Sequence, residues 1–284
     1  MSPHAPRTAL RFFPVVSLVV LAAAPAGAAL THRYSFNDGT ANDSVGNANG
    51  VPVNNPQITG GRVNLANNGF ISDWSFGQYI DLPNQIARTP SLTLETWATY
   101  RGGSVFQEIA SLGTGSLGEI LPGATEPVTG GQYGTEYVAI IPHFPHNQQN
   151  GLGGTIRGGN VIEQAAIAPA PLPTSGEHHV AYVVDYPSRT SALYLDGAEV
   201  ARLAISLDPS QFDQVNDWLG RSQWPDPFFN GSINEFRIYD RALTPAEVAA
   251  SFAAGPDGLP EPAALATMAF AAPLLLRRRH SEAR

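Results

Sequence analysis

Ser91-Leu92-Thr93-Leu94-Glu95-Thr96-Trp97-Ala98-Thr99-Tyr100 is the stretch from which the fold reads most directly. In an extended chain Leu92, Leu94, Ala98 and Tyr100 share one face and Thr93, Glu95 and Thr99 the other, the two-residue period of a half-buried strand. Trp97 falls on that second face, so a loop or second layer is expected to cover it. Further strands are expected over 31–36, 78–82, 135–141, 178–185, 192–195 and 232–239. The chain's 28 glycines and 24 prolines punctuate these segments at turn-like intervals. In Leu193-Tyr194-Leu195-Asp196-Gly197-Ala198-Glu199-Val200 the Asp-Gly pair suits a type I′ turn between two strands. Thr244-Pro245-Ala246-Glu247 then offers a capping hydroxyl, a proline at the first helical position and a reciprocal glutamate at the third. That helix should run to about residue 254 and stop at Gly255. Many short antiparallel strands with one short C-terminal helix predict an all-β, jelly-roll-like sandwich of two antiparallel sheets.

The two ends differ from this body. Arg7 and Arg11 precede an apolar stretch over 12–24, followed by small residues up to Ala28 and Ala29, the pattern of a signal peptide over 1–29; a permanent membrane anchor is the other reading. At the far end Leu259-Pro260-Glu261-Pro262 leads into an apolar run over 263–276 and then Arg277-Arg278-Arg279. Dragging those arginines through lipid would cost several kcal/mol, so they hold that end in the cytoplasm. The run falls short of the roughly 20 residues of a comfortable span. The folded domain is therefore expected over 30–258 and a sorting tail over 259–284.

Composition removes several classes of function. Without cysteine there is no disulfide, no thiolate metal site and no cysteine nucleophile. Setting aside six arginines and two glutamates in the end segments leaves 10 of 16 basic residues against 22 of 24 acidic ones, and lysine is absent. Such a body repels phosphate backbones and anionic lipid, which argues against nucleic acid as a partner.

Catalytic patterns are missing as well. A sandwich glycosidase needs two carboxylates flanking the sugar bond, about 5–5.5 Å apart in a retaining enzyme. Glu235 and Asp240 point to opposite sides of one strand, and Glu95 stands alone. No Gly-x-Ser-x-Gly elbow occurs. His178 and His179 are placed on opposite faces of a strand. His143-Phe144-Pro145-His146 is open between an exposed loop, a metal clamp and the edge of a ligand pocket. No catalytic residue is assigned.

For sugar binding the useful residues are aromatic rings, which pack on C–H faces, beside Asp and Asn, which take hydroxyls. Trp224-Pro225-Asp226-Pro227-Phe228-Phe229 is a proline-stiffened aromatic loop, ordered at low entropic cost. Asn67, Asn68, Phe70, Asp73 and Trp74 form a second polar-aromatic cluster. Trp224, Asp226, Trp74, Asp73 and Asn68 are the expected ligand-binding residues.

His32-Arg33-Tyr34-Ser35-Phe36-Asn37 with Asp43-Ser44-Val45-Gly46, then Tyr79-Ile80-Asp81-Leu82-Pro83, Leu94-Glu95-Thr96-Trp97 and His178-His179-Val180-Ala181 together resemble bacterial LamG-like jellyroll domains. The closing block, Trp218-Leu219-Gly220-Arg221-Ser222 followed by 226–239, is the most specific part. The resemblance covers nearly all of 31–255 and is weakest over 113–173. It implies a concanavalin A-like sandwich that commonly binds glycans or proteins, with Phe228 and Phe229 as scaffold. It also implies one structural Ca²⁺, held by Asn37, Asp38 and Asp43 in the loop after the first strand and by Asn234 and Glu235 on the last. Where such domains usually show Ile-Asp-Glu this chain has Ile233-Asn234-Glu235, one charge fewer. The same Asx residues serve equally as turn formers without metal.

Pro260, Glu261, Pro262, Arg277, Arg278 and Arg279 resemble the PEP-CTERM sorting tail of Gram-negative bacteria. That implies signal peptidase and exosortase as partners in export, transient inner-membrane anchoring, and delivery to the cell surface or extracellular matrix. The expected function is a non-catalytic module binding extracellular polysaccharide or a surface protein. A structural or adhesion protein making protein contacts, and a glycoside hydrolase or lyase, stay open.

Overall fold

The computed structural model describes residues 30–70, 75–123 and 132–259. The expected signal peptide, the sorting residues and the ligand candidates Asp73 and Trp74 lie outside the described residues. Among the described residues no helix is long and apolar enough to cross a membrane.

Among the described residues fifteen strands make two antiparallel sheets. In chain order they are β1 (Leu30–Tyr34), β2 (Val51–Val53), β3 (Gln57–Ile58), β4 (Val63–Ala66), β5 (Tyr79–Leu82), β6 (Ser91–Tyr100), β7 (Ala110–Gly115), β8 (Gly134–His146), β9 (Gln149–Gly158), β10 (Val161–Ile167), β11 (His178–Asp185), β12 (Thr190–Leu195), β13 (Ala198–Ala204), β14 (Asn216–Leu219) and β15 (Asn230–Tyr239). One helix, α1 (Pro245–Ala254), follows. The first sheet runs β13-β12-β11-β6-β15-β4-β3, and the second β10-β9-β8-β7-β14-β5-β2. β15 pairs along one side with β6 and divides its other side between β4 (230–233) and β1 (236–239).

Alternation places the core. Leu92, Leu94 and Tyr100 from β6, Tyr182 from β11 and Phe236 from β15 meet Leu112, Val138, Ile140 and Ile156 from the second sheet. The Asp-Gly hairpin joins β12 to β13, with Asp196 at φ 49° and Gly197 at φ 78°, the two left-handed positions that a type I′ turn requires. α1 starts in the expected capping box, with the Thr244 and Glu247 side chains each bonded to the other's backbone N–H.

The half-buried reading of β6 is corrected. Its second face lies under α1 and the chain that follows, so Thr93 and Glu95 are fully buried with Trp97. Leu243 and Val248 pack there on Ala181, Val183 and Tyr194. Polar residues survive in that layer because they pair. Glu95 receives the His179 ring nitrogen at 2.9 Å, Tyr239 Oη at 2.9 Å and Arg237 at 3.3 Å. Burial alone would raise its pKa, but the bond with His179 and the Arg237 charge hold it below the usual carboxylate value. Arg237 also donates to Glu235 and to the carbonyls of Pro256 and Gly258, pinning the chain after α1 onto the sheet.

Candidate functional site

A pocket of about 320 Å³ opens on the outer face of the second sheet. Register explains its position. On β8 Val138 and Ile140 point into the sandwich, so Tyr137, Ala139 and Ile141 point outward; a register shift between Ile141 and Phe144 brings Phe144 to the same side, and the four form an apolar cluster with Ile167. Glu108, just before β7, projects on the same side, as do Glu163 on β10 and the loop after β14 that carries Trp224 and Asp226. Phe106 and Phe144 meet edge to face with ring centroids 5.8 Å apart.

A chain of hydrogen bonds holds the aromatic wall. Trp224 Nε1 donates to Tyr137 Oη at 3.0 Å, Tyr137 Oη donates to Glu163 Oε1 at 2.8 Å, and Thr155 Oγ1 donates to the same oxygen at 2.7 Å. Gly134 makes this possible: a Cβ there would stand 2.4 Å from Tyr137 Cε1 and 2.7 Å from Trp224 Nε1. Arg157 covers the Trp224 ring with its guanidinium carbon 5.5 Å from the centroid.

The second wall is acidic. Ser222 Oγ lies 2.9 Å from both Glu108 Oε1 and Asp226 Oδ2, and it receives the Trp224 backbone N–H at 3.0 Å. Glu108 is 2% exposed and its Oε2 makes no well-formed hydrogen bond. Burial pushes Glu108 well above the ordinary carboxylate range, and pushes Asp226 up to about 7.

Two of the expected ligand residues, Trp224 and Asp226, thus meet in one pocket. Asn68 does not join them; its carboxamide oxygen accepts the Phe70 N–H and closes its own turn. His146 edges the pocket, whereas His143 bonds Asn150. Phe228 and Phe229 are buried scaffold. Glu108, Glu163, Tyr137 and Phe106 carry no sequence pattern that marks them. What brings them together is strand pairing in the segment where the family resemblance is weakest.

The five residues expected around calcium do not form one ligand set. Asp43 spends both oxygens on protein donors, taking the N–H groups of Arg33, Val45, Gly46 and Ala48 and the His32 ring nitrogen. Glu235 is consumed by Arg33 and Arg237. Asp38 bonds Thr40. Asn234 is the extra residue of a bulge in β15, which separates it in direction from Glu235. Only Asn37 and Asn234 approach each other, their amide oxygens lying 2.6 and 3.9 Å from where a Gly61 Cβ would be. A hard cation needs several charged or carbonyl oxygens converging, and the expected set does not fit one. Among the described residues no three His, Asp or Glu side chains are grouped to hold a metal.

The family model described as the concanavalin A-like lectin/glucanases superfamily, Laminin_G_3, matches residues 75–249. In overall shape the chain is similar to domain 4 of AbnA, a GH43 extracellular arabinanase of Geobacillus stearothermophilus solved with arabinotriose. That similarity has a TM-score of 0.57 and 21% identity, covering 79% of this chain and 98% of that one. The binding domain of botulinum neurotoxin DC, solved with rat synaptotagmin II, matches at TM-score 0.55 and 14% identity over 78% of this chain; the match spans 50% of the toxin chain. A Trypanosoma rangeli sialidase matches at TM-score 0.51 and 12% identity, over 78% of this chain and 32% of that one. At these identities the likeness is one of fold. No curated protein matches the chain in sequence.

Proposed function

The chain belongs to the concanavalin A-like lectin/glucanases superfamily, and from that membership we propose that it is a non-catalytic carbohydrate-binding module. The observation that carries this reading is the outward pocket, whose volume falls in the range of small-ligand sites. Trp224 offers a ring for a sugar's C–H face, locked through Tyr137 before any ligand arrives, and Asp226 and Glu108 supply hydrogen-bonding oxygens beside it. A pre-ordered wall loses little entropy on binding. Neighbours of the same fold that were solved with an arabino-oligosaccharide or as a toxin's binding domain support it.

We propose further that the segments before 30 and after 258 export the module to the cell surface or matrix, where extracellular polysaccharide is its partner. The support for export is the sequence pattern of those segments. Replacing Arg277, Arg278 and Arg279 by alanine should leave precursor in the wrong fraction when cells are divided into membrane and medium.

The binding test is retention of the purified full-length chain on a panel of insoluble polysaccharides, with calcium and with chelator. One glycan class should retain it, the soluble form of that glycan should release it, and Trp224→Ala should abolish retention. If no glycan retains the chain, the reading fails and protein partners take its place. Retention unaffected by chelator would remove any role for calcium in binding.

One observation favours hydrolysis as a second reading: Glu108 and Asp226 share Ser222 Oγ and so stand close together. Against it, burial pushes both carboxyls toward the protonated form, whereas hydrolysis needs one of the two ionised as base or nucleophile. Release of reducing sugar from the same panel, lost in Asp226→Asn, would reverse the choice.

A further inference from the structure

The pocket is built for charge of one sign. Glu108, Glu163 and Asp226 bring three carboxyls to it. The guanidinium nearby, Arg157, is laid over the Trp224 ring. A buried carboxyl oxygen with no well-formed hydrogen bond is costly unless an entering group supplies one, and Glu108 Oε2 is such an oxygen on the pocket wall, its carboxyl being eased only by the Ser111 and Ser222 hydroxyls. The opposite wall is aromatic, and ring faces attract cations. An N–H donor carrying positive charge satisfies both walls.

Resting on the glycan-binding reading above, we propose that the sugar this pocket selects bears a free ammonium group, as in a de-N-acetylated hexosamine polymer. The ammonium would donate to Glu108 and Asp226 while the ring packs on Trp224. An acetylated amine places a neutral amide at that position. A uronate or sialate places a carboxylate against three acids and is rejected.

Carboxyls outnumber the one guanidinium among the charged groups around the position, and Tyr133 lies beside Trp224 with ring centroids 6.2 Å apart. Glu108 stands before β7, Tyr137 and His146 on β8, Arg157 on β9, Glu163 on β10 and Asp226 in the loop after β14. Glu163 Oε1 already accepts from Tyr137 and Thr155, and Glu108 and Asp226, which converge on Ser222, are the carboxyls assigned to the cation. Because burial pushes Asp226 up to about 7 and Glu108 well above the ordinary carboxylate range, an arriving ammonium displaces protons, and binding tightens as pH rises from 5 toward about 7.

The test is calorimetric titration of the full-length protein with a glucosamine hexamer, an N-acetylglucosamine hexamer and a polyuronate oligomer, at several pH values. The glucosamine hexamer should bind at least tenfold more tightly than the acetylated one, and the uronate should not bind. Glu108→Gln and, independently, Asp226→Asn should erase that preference, and the wild-type preference should shrink at pH 5. Equal affinity for the two hexamers, or a preference untouched by both variants, would overturn the amine assignment and leave the glycan reading in place. So would binding of only an unrelated neutral glycan through Trp224. Silence toward every sugar would take down both.

Discussion

Asp217 offers a quantitative check on how this sandwich tolerates charge. It sits on β14 with its side chain fully buried. Its Oδ2 accepts the Ile86 N–H at 3.3 Å and its Oδ1 makes no well-formed hydrogen bond. Burial pushes its pKa from 3.8 up to about 8, against the pull of backbone N–H groups at Ile86, Gly113 and Gln85 and with a small push from Asp81. The sign follows from proton counting. The folded chain holds a proton here that the unfolded chain releases, so this group's contribution to stability falls as pH rises from about 4 to about 8 and is flat outside that window. At roughly 1.36 kcal/mol per pH unit the change between pH 4 and pH 7 is about 4 kcal/mol. Asp217→Asn removes the titrating group and keeps the shape. Urea unfolding of both proteins at pH 4, 5.5, 7 and 8 should show the variant gaining on wild type by about 4 kcal/mol from the lowest pH to neutrality. A difference between the two that stays constant within ~1 kcal/mol over that range would show that the site is wetter, or its N–H donors stronger, than the buried geometry implies.

Three other perturbations test separate parts of the molecule. Tyr137→Phe breaks the link from Trp224 to Glu163 and should weaken glycan retention about tenfold, near 1.4 kcal/mol, with the urea midpoint little changed. Gly134→Ala should push Trp224 off Tyr137, seen as a shift in tryptophan emission together with loss of retention, because a Cβ there would come within 2.4 Å of the Tyr137 ring. Arg237→Met leaves Glu95 to His179 and Tyr239 and Glu235 to Arg33 alone, and should cost about 3 kcal/mol in urea unfolding, while limited proteolysis cuts the freed chain after residue 254.

Much of the scaffold was legible because it follows local rules. The strands at 91–100 and 178–185 coincide with their alternation, and the helix begins and ends where its capping box and Gly255 put it. The burial of Glu95 was not legible. On one strand it looks like a solvent-facing acid, and only β15 and α1, far away in sequence, bring it Arg237, Tyr239 and a roof. The site divides along the same line. Trp224 and Asp226 announce themselves within six residues of proline-bracketed loop. Glu108 is a single acid in a loop, and Glu163 lies in the alanine-containing strand β10, whose composition argues weakly for a strand. Both acquire meaning only when β7 to β10 pair. Calcium was expected from the family resemblance, and of the residues it named Asp43 and Glu235 are taken up by protein donors while Asn37 and Asn234 donate to Asp257 and Glu177.

The clamp at the end of the chain has a mechanical consequence. Arg33 and Arg237 grip the carbonyl of Pro256, Arg237 also holds Gly258, and β1 enters the same sheet alongside β15. Both ends of the described chain therefore depart from one side of the sandwich, and the pocket looks out from the other. Tension from a bound polymer, leaving through residue 259, would cross the full thickness of two packed sheets and exit through a multivalent arginine knot. It would not peel a lone strand from an edge. Load applied at the tail would fall first on the arginine bonds to the Pro256 and Gly258 carbonyls, ahead of any strand pairing.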